Sequence, residues 1–78
     1  MNNSIKLETI GFNLKKYRLR KALTVDQVRE YLHLESVQAI YKWEKGKCLP
    51  QAENLLLLMH LYNVRAEDLI HVEDKRQF

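Results

Sequence analysis

Apolar residues along this chain recur at steps of three and four and do not alternate, a spacing that predicts helices and no sheet. In the first stretch Leu7, Ile10, Leu14 and Tyr17 share one face, with Thr9 a candidate cap and the basic run Lys15, Lys16, Arg18, Arg20 and Lys21 around it. A second helix has the strongest start signal in the chain. Thr24 and Gln27 have the spacing of a capping box, Leu23 and Val28 that of a hydrophobic staple, and Val28 and Leu32 form the inner face. After a turn at His33-Leu34-Glu35, Ser36 is placed to cap a third helix that buries Ala39, Ile40 and Trp43. That helix stops at Gly46, where a left-handed backbone is cheap, and leaves Val37, Gln38, Tyr41, Lys42 and Lys45 facing outward. A fourth helix over Gln51 to Tyr62 follows Pro50 and can end at Asn63, and a short fifth spans Ala66 to Ile70. The expectation is an all-α, compact five-helix fold. Residues 9–70 form its domain, 1–8 an N-terminal arm and 71–78 a polar C-terminal tail.

Composition narrows the function classes. With 78 residues, the chain is near the lower limit for a single unstapled core and has no room for an enzyme with a deep cleft. Nothing pairs a nucleophile with a base or gathers carboxylates, so no catalytic residue, cofactor or small-molecule substrate is expected. Cys48 is the single cysteine, which precludes an internal disulfide, and His33, His60 and His71 lack partners at metal-ligand spacing. The longest apolar run, Leu55 to Met59, is far below the roughly 20 residues that span a bilayer, and MNNSIKLE lacks a signal peptide's apolar centre. A soluble, cytoplasmic protein without a membrane partner is the default. Net charge is +3, unevenly divided: residues 1–50 hold ten Lys/Arg against five Asp/Glu, and residues 51–78 hold three against five. A polyanion neutralised on the basic half fits that division.

Thr24 to Gly46 therefore read as two short helices joined by a tight turn, the second polar on its outer side: a helix-turn-helix, with double-stranded DNA as the leading partner. The major groove, about 12 Å wide, admits one helix that is braced from behind and bare of large apolar groups outside. Gln38 can pair with N6 and N7 of adenine, Lys42 can donate to O6 and N7 of guanine, and Val37 can touch a thymine methyl. Lys45, Lys47, Tyr41, and Thr24 and Val25 with the free N–H groups at the start of the second helix suit phosphates, which add affinity without sequence choice.

Those residues carry a resemblance. Residues 10–70 resemble the phage-repressor or Cro-like helix-turn-helix family, often named XRE. The shared features are Ile10-Gly11 with Leu14, Tyr17 and Arg18; Leu23-Thr24; Ile40, Trp43, Glu44 and Gly46; and Pro50, Leu55, Leu58 and Leu69-Ile70. The string SVQAIYKWEKGKCLP is especially like the variant whose turn is one residue longer. The resemblance implies a five-helix fold, base reading at Val37, Gln38 and Lys42, and an Arg18–Glu44 pair locking the first helix to the end of the reading helix. It also implies a small, repressor-like transcriptional regulator, bacterial or phage-encoded. Four positions depart from the family pattern: Val25 replaces a phosphate-gripping glutamine, Arg29 a small alanine, and His33 and Ala22 two turn glycines. Either the long stem of Arg29 lies along the helix pair with its head in solvent, or the two helices cross more widely than usual.

Leucines remain to be placed. Leu55, Leu58, Met59 and Tyr62 satisfy the core, so Leu56, Leu57 and Leu61 are surplus, while Phe12, Leu19 and Phe78 fall off the main stripes. A second apolar surface would serve a homodimer, which sets two reading helices about one DNA turn apart on a partly palindromic operator. The alternative is a protein-interaction module, such as an antitoxin or adaptor, using the surface of the fourth and fifth helices.

Overall fold

The computed structural model describes residues 5–72, and among them it places five helices and no strand. These are α1 (Leu7–Arg20), α2 (Val25–Leu32), α3 (Gln38–Glu44), α4 (Ala52–Tyr62) and α5 (Ala66–Ile70). The core takes two side chains from each of the first four helices, Ile10 and Leu14, Val28 and Leu32, Ile40 and Trp43, Leu58 and Tyr62, and adds Leu69 from α5. Each such burial contributes about 1.5–3 kcal/mol.

α1 is the strut against which both α3 and α5 pack. Its contact with α3 is close enough to require glycine: a Cβ on Gly11 would lie 2.5 Å from the Trp43 carbonyl oxygen. On the α5 side Asn13, 1% exposed, donates through Nδ2 to the carbonyls of Leu69 (2.6 Å) and His71 (3.0 Å).

Four helices end in the same way. Ala22, His33, Gly46 and Asn63 adopt left-handed backbone (φ 57°, 60°, 75° and 57°). In each case the following N–H reaches back five residues: Leu23 to Arg18, Leu34 to Arg29, Lys47 to Lys42 and Val64 to Met59, at 2.9–3.1 Å. This is the Schellman closure, and in three of the four an apolar residue, Leu23, Leu34 or Val64, follows the turn and packs on the core.

The start of α2 is as expected, with Gln27 N–H donating to Thr24 Oγ1 (3.0 Å) and Thr24 N–H to Gln27 Oε1 (2.8 Å). Other starts differ. Thr9 caps nothing, since α1 begins at Leu7 after an extended Lys6 that makes no side-chain cap bond. The apolar stripe extends upstream to Leu7, which must be helical to share a face with Ile10. Ser36 is not the cap of α3 either. Val37 occupies that position in helical backbone (φ −82°, ψ −4°), and Ser36 Oγ, one residue too early, accepts only a long 3.4 Å bond from Gln38 N–H. On α4, Leu57 and Leu61 are not surplus: both are partly buried against the core, and only Leu56, 63% exposed, remains on the surface. Phe12 and Leu19 are exposed as anticipated, and Phe78 lies outside the described residues.

Candidate nucleic-acid interface

α3 is a seven-residue helix with two unlike sides. Ile40 and Trp43 point into the core, at 2% and 6% exposure, while Gln38, Tyr41, Lys42 and Lys45 are exposed. Gln38 and Lys42 are four residues apart, as are Tyr41 and Lys45, so each pair lies one turn apart along the outer surface. Trp43 is thus a packing residue, unable to stack on a base. Val37 is half-buried and precedes the helix rather than riding on it.

The C-terminal end of α3 is locked. Arg18 Nε donates to Glu44 Oε2 (2.7 Å), its NH2 to Glu44 Oε1 (3.1 Å), and its NH1 to the Leu23 carbonyl (2.9 Å). One guanidinium therefore ties α1, the end of α3 and the turn before α2. Both side chains are almost removed from water, at 8% and 6% exposure. The hydrogen bond to Glu44 holds the Arg18 proton more tightly than usual, against the opposing effect of burial. Glu44, neutralised in this way, leaves no uncompensated negative charge at the end of α3. Nearby, burial pushes the Tyr62 phenol well above its ordinary range; the Glu44 carboxylate adds to the shift and Arg18 opposes it.

At the α2 N-terminus the capping box uses the N–H groups of Thr24 and Gln27, so Val25 and Asp26 carry the N–H groups that the helix leaves without an internal partner. The Thr24 hydroxyl, accepting from Gln27, keeps its own proton to donate. Val25 offers only its backbone there, because its side chain packs on the core. Asp26, which would repel an anion, is paired with Arg29 (Nε–Oδ1 2.7 Å), and that hydrogen bond holds its carboxyl below the usual range. Beyond α3, Lys45 and Lys47 are exposed on either side of Gly46, where the helix dipole favours cations.

The hydrogen-bond partners of two polar residues escaped the sequence reading. Asn13 stood among Ile10, Leu14 and Tyr17 on the inner face of α1, and that spacing was a signal for a buried amide. The stem of Arg29 follows the first of its two expected courses, along the helix pair, but its guanidinium is held by Asp26 and the Leu34 carbonyl, and those partners depend on a turn conformation that spacing does not reveal. Among the described residues, no group of three His, Cys, Asp or Glu side chains is placed to hold a metal ion, and no helix is long and apolar enough to cross a membrane.

Comparison with known proteins agrees with this geometry. The helix-turn-helix family matches residues 14–69, from the middle of α1 into α5. The HTH-type transcriptional activator BcrR of Enterococcus faecalis is 38% identical over 65 residues, which cover 81% of this chain. The chain spans only 31% of the length of that relative. No solved structure matches. With the family match extending over most of its length, and with five helices, a capped α2 and a braced α3 in the expected order, the chain belongs to the XRE-type helix-turn-helix family.

Proposed function

We propose that this domain binds double-stranded DNA sequence-specifically by laying α3 in the major groove, and that it regulates transcription. The observation that carries the reading is the two-sidedness of α3: Gln38 and Lys42 face solvent while Ile40 and Trp43 fix the helix from behind. Gln38 and Lys42 read base edges, and Val37, held at the helix start, contributes a methyl contact. Tyr41, Lys45, Lys47, the Thr24 hydroxyl and the Val25 N–H hold phosphates. Residues 9–70 are the binding unit, with 1–8 as an arm whose last two residues continue into α1, and 71–78 as a tail.

Seven helical residues extend about 10 Å, enough for roughly three base pairs. Such a short reading head gains useful specificity by pairing, so the form proposed is a homodimer on a partly palindromic operator, acting in the cytoplasm. Repressor-like describes the domain type, whereas the relative carries an activator's name; the domain geometry serves either sign of regulation. The protein-interaction alternative has lost two of its three leucines to the core and gains no support from α4.

Selection from randomised duplexes at fixed salt tests the reading. Q38A and K42A are expected to relax preference at separate base positions, by about 1–3 kcal/mol each. K45A is expected to weaken every duplex alike and to lower the salt slope by about one. Equal loss on all sequences from all three changes rejects the proposed roles.

A further inference from the structure

α3 is locked at its C-terminal end by Arg18 and Glu44, but the bond network at its other end has a different centre. The segment entering α3, residues 33–37, starts with the left-handed His33 and ends with Val37, and the bond from Gln38 N–H to Ser36 Oγ is long at 3.4 Å. Leu34 is the point at which this segment is held. Its N–H donates to the Arg29 carbonyl (3.1 Å), and its own carbonyl accepts from Arg29 NH1 (3.2 Å), so a single residue satisfies both of its main-chain groups. The guanidinium is oriented in turn by Asp26, one helical turn back (Nε–Oδ1 2.7 Å), with Glu30 Oε2 3.7 Å from NH2. Its side chain is 26% exposed, so its stem lies along the junction while Asp26 stays in water. α3 leans on α1 more than on α2, and the Arg29 guanidinium adds a polar tie from α2 to the segment that leads into α3.

We infer that Arg29 is a positioning residue for base reading. By donating to the Leu34 carbonyl, its guanidinium adds a side-chain tie to the main-chain closure of α2; this fixes the approach to α3 and hence where Gln38 falls along the groove. The inference rests on the DNA-binding reading. It assigns a role to the arginine that stands where a small residue is usual: two arginines hold the reading helix, one at each end. Lysine cannot replace it, because one ammonium does not span Asp26 and the Leu34 carbonyl with the fixed fork of a guanidinium.

The test compares the wild-type chain with R29K, R29A and D26N on the wild type's own selected operator and on its single-base variants. R29K keeps the charge, so a change in its base preference is not a lost phosphate contact. The expected result is a loss of about fivefold in discrimination at the base pairs identified by Q38A, with the pairs identified by K42A retained. D26N, which frees the guanidinium without removing it, should show a smaller loss at the same positions and no weakening on random duplex. Amide exchange at Tyr41, whose N–H donates to the Val37 carbonyl at the start of α3, should accelerate in R29A and R29K while amides in α1 and α4 keep their protection. Unchanged discrimination at the Gln38 positions in R29K and R29A, with a selective wild type, overturns this inference alone. So does an equal loss at every position accompanied by a lower Tm, the signature of general destabilisation. A wild-type chain with no base preference overturns the DNA reading, and this inference with it.

Discussion

At the scale of single residues, the charges that matter are those removed from water. Surface ion pairs such as Arg65 with Glu67, 3.5 Å apart and both well exposed, contribute little. Arg18 and Glu44 differ, because each is nearly buried and the fork plus the Leu23 carbonyl satisfies the guanidinium. Breaking a buried pair from one side leaves the other charge uncompensated, at a cost of about 3–5 kcal/mol. E44Q, which keeps the shape and removes the charge, is therefore expected to destabilise by about that amount in urea unfolding; a loss below about 1 kcal/mol would reduce the lock to a surface pair. Asn13 belongs to the same class. Its Nδ2 faces two carbonyl oxygens, which fixes the amide orientation, and its buried Oδ1 has no partner. The net effect is a tie from α1 to the far end of the described chain, made with one acceptor left unsatisfied.

At the scale of elements, the four left-handed helix ends separate what the sequence could tell from what it could not. Gly46 and Asn63 are residue types that favour this backbone, and both ends were legible in advance. Ala22 and His33 were visible only as departures from a family pattern; the structure shows that they adopt the left-handed conformation regardless. An alanine held at φ 57° carries strain that glycine does not, and Ala22 is exposed, so it has little packing to lose. A22G is expected to stabilise by about 0.5–1 kcal/mol, raising Tm by a few degrees in a thermal melt; a lower Tm would show that the turn is not strained. The helices and the outward side of α3 follow from periodicities within a dozen residues, which sequence carries directly. The burial of Leu57 and Leu61, the tie from Asn13 to Leu69, and the clasp of Arg29 on Leu34 depend on how elements meet, and periodicity carries no such information. The one-residue shift at Ser36 has a local cause: hydroxyl spacing alone does not say whether the backbone before a helix is extended, as a side-chain cap requires, or already helical.

At the scale of the whole molecule, α1 is the common support, with α3 against one flank and α5 against another, and the Arg18–Glu44 pair marks where α1 and α3 meet. Tyr62, at the end of α4 and 3% exposed, comes under the influence of the same two charges. Its phenol is neutral in the fold and, with Glu44 opposing a second negative charge, it keeps its proton well above the ordinary 10.0. In the unfolded chain the same group ionises near that ordinary value. A group whose pKa is raised by folding stabilises fully below the unfolded value and loses its contribution as pH rises toward the folded one. The consequence is directional: from neutral pH to about pH 9 Tyr62 adds no pH dependence, and above about pH 10 the unfolded state releases a proton that the native state retains. Stability should then fall by up to about 1.4 kcal/mol per pH unit from this residue alone. Y62F keeps the ring and removes the proton, so the difference in urea midpoint between wild type and Y62F isolates the contribution from the other titrating groups. That difference should be flat between pH 7 and pH 9 and turn against the wild type above pH 10. Parallel curves across the whole range would mean that Tyr62 ionises freely in the folded protein, and that the junction of α1, α3 and α4 is open to water.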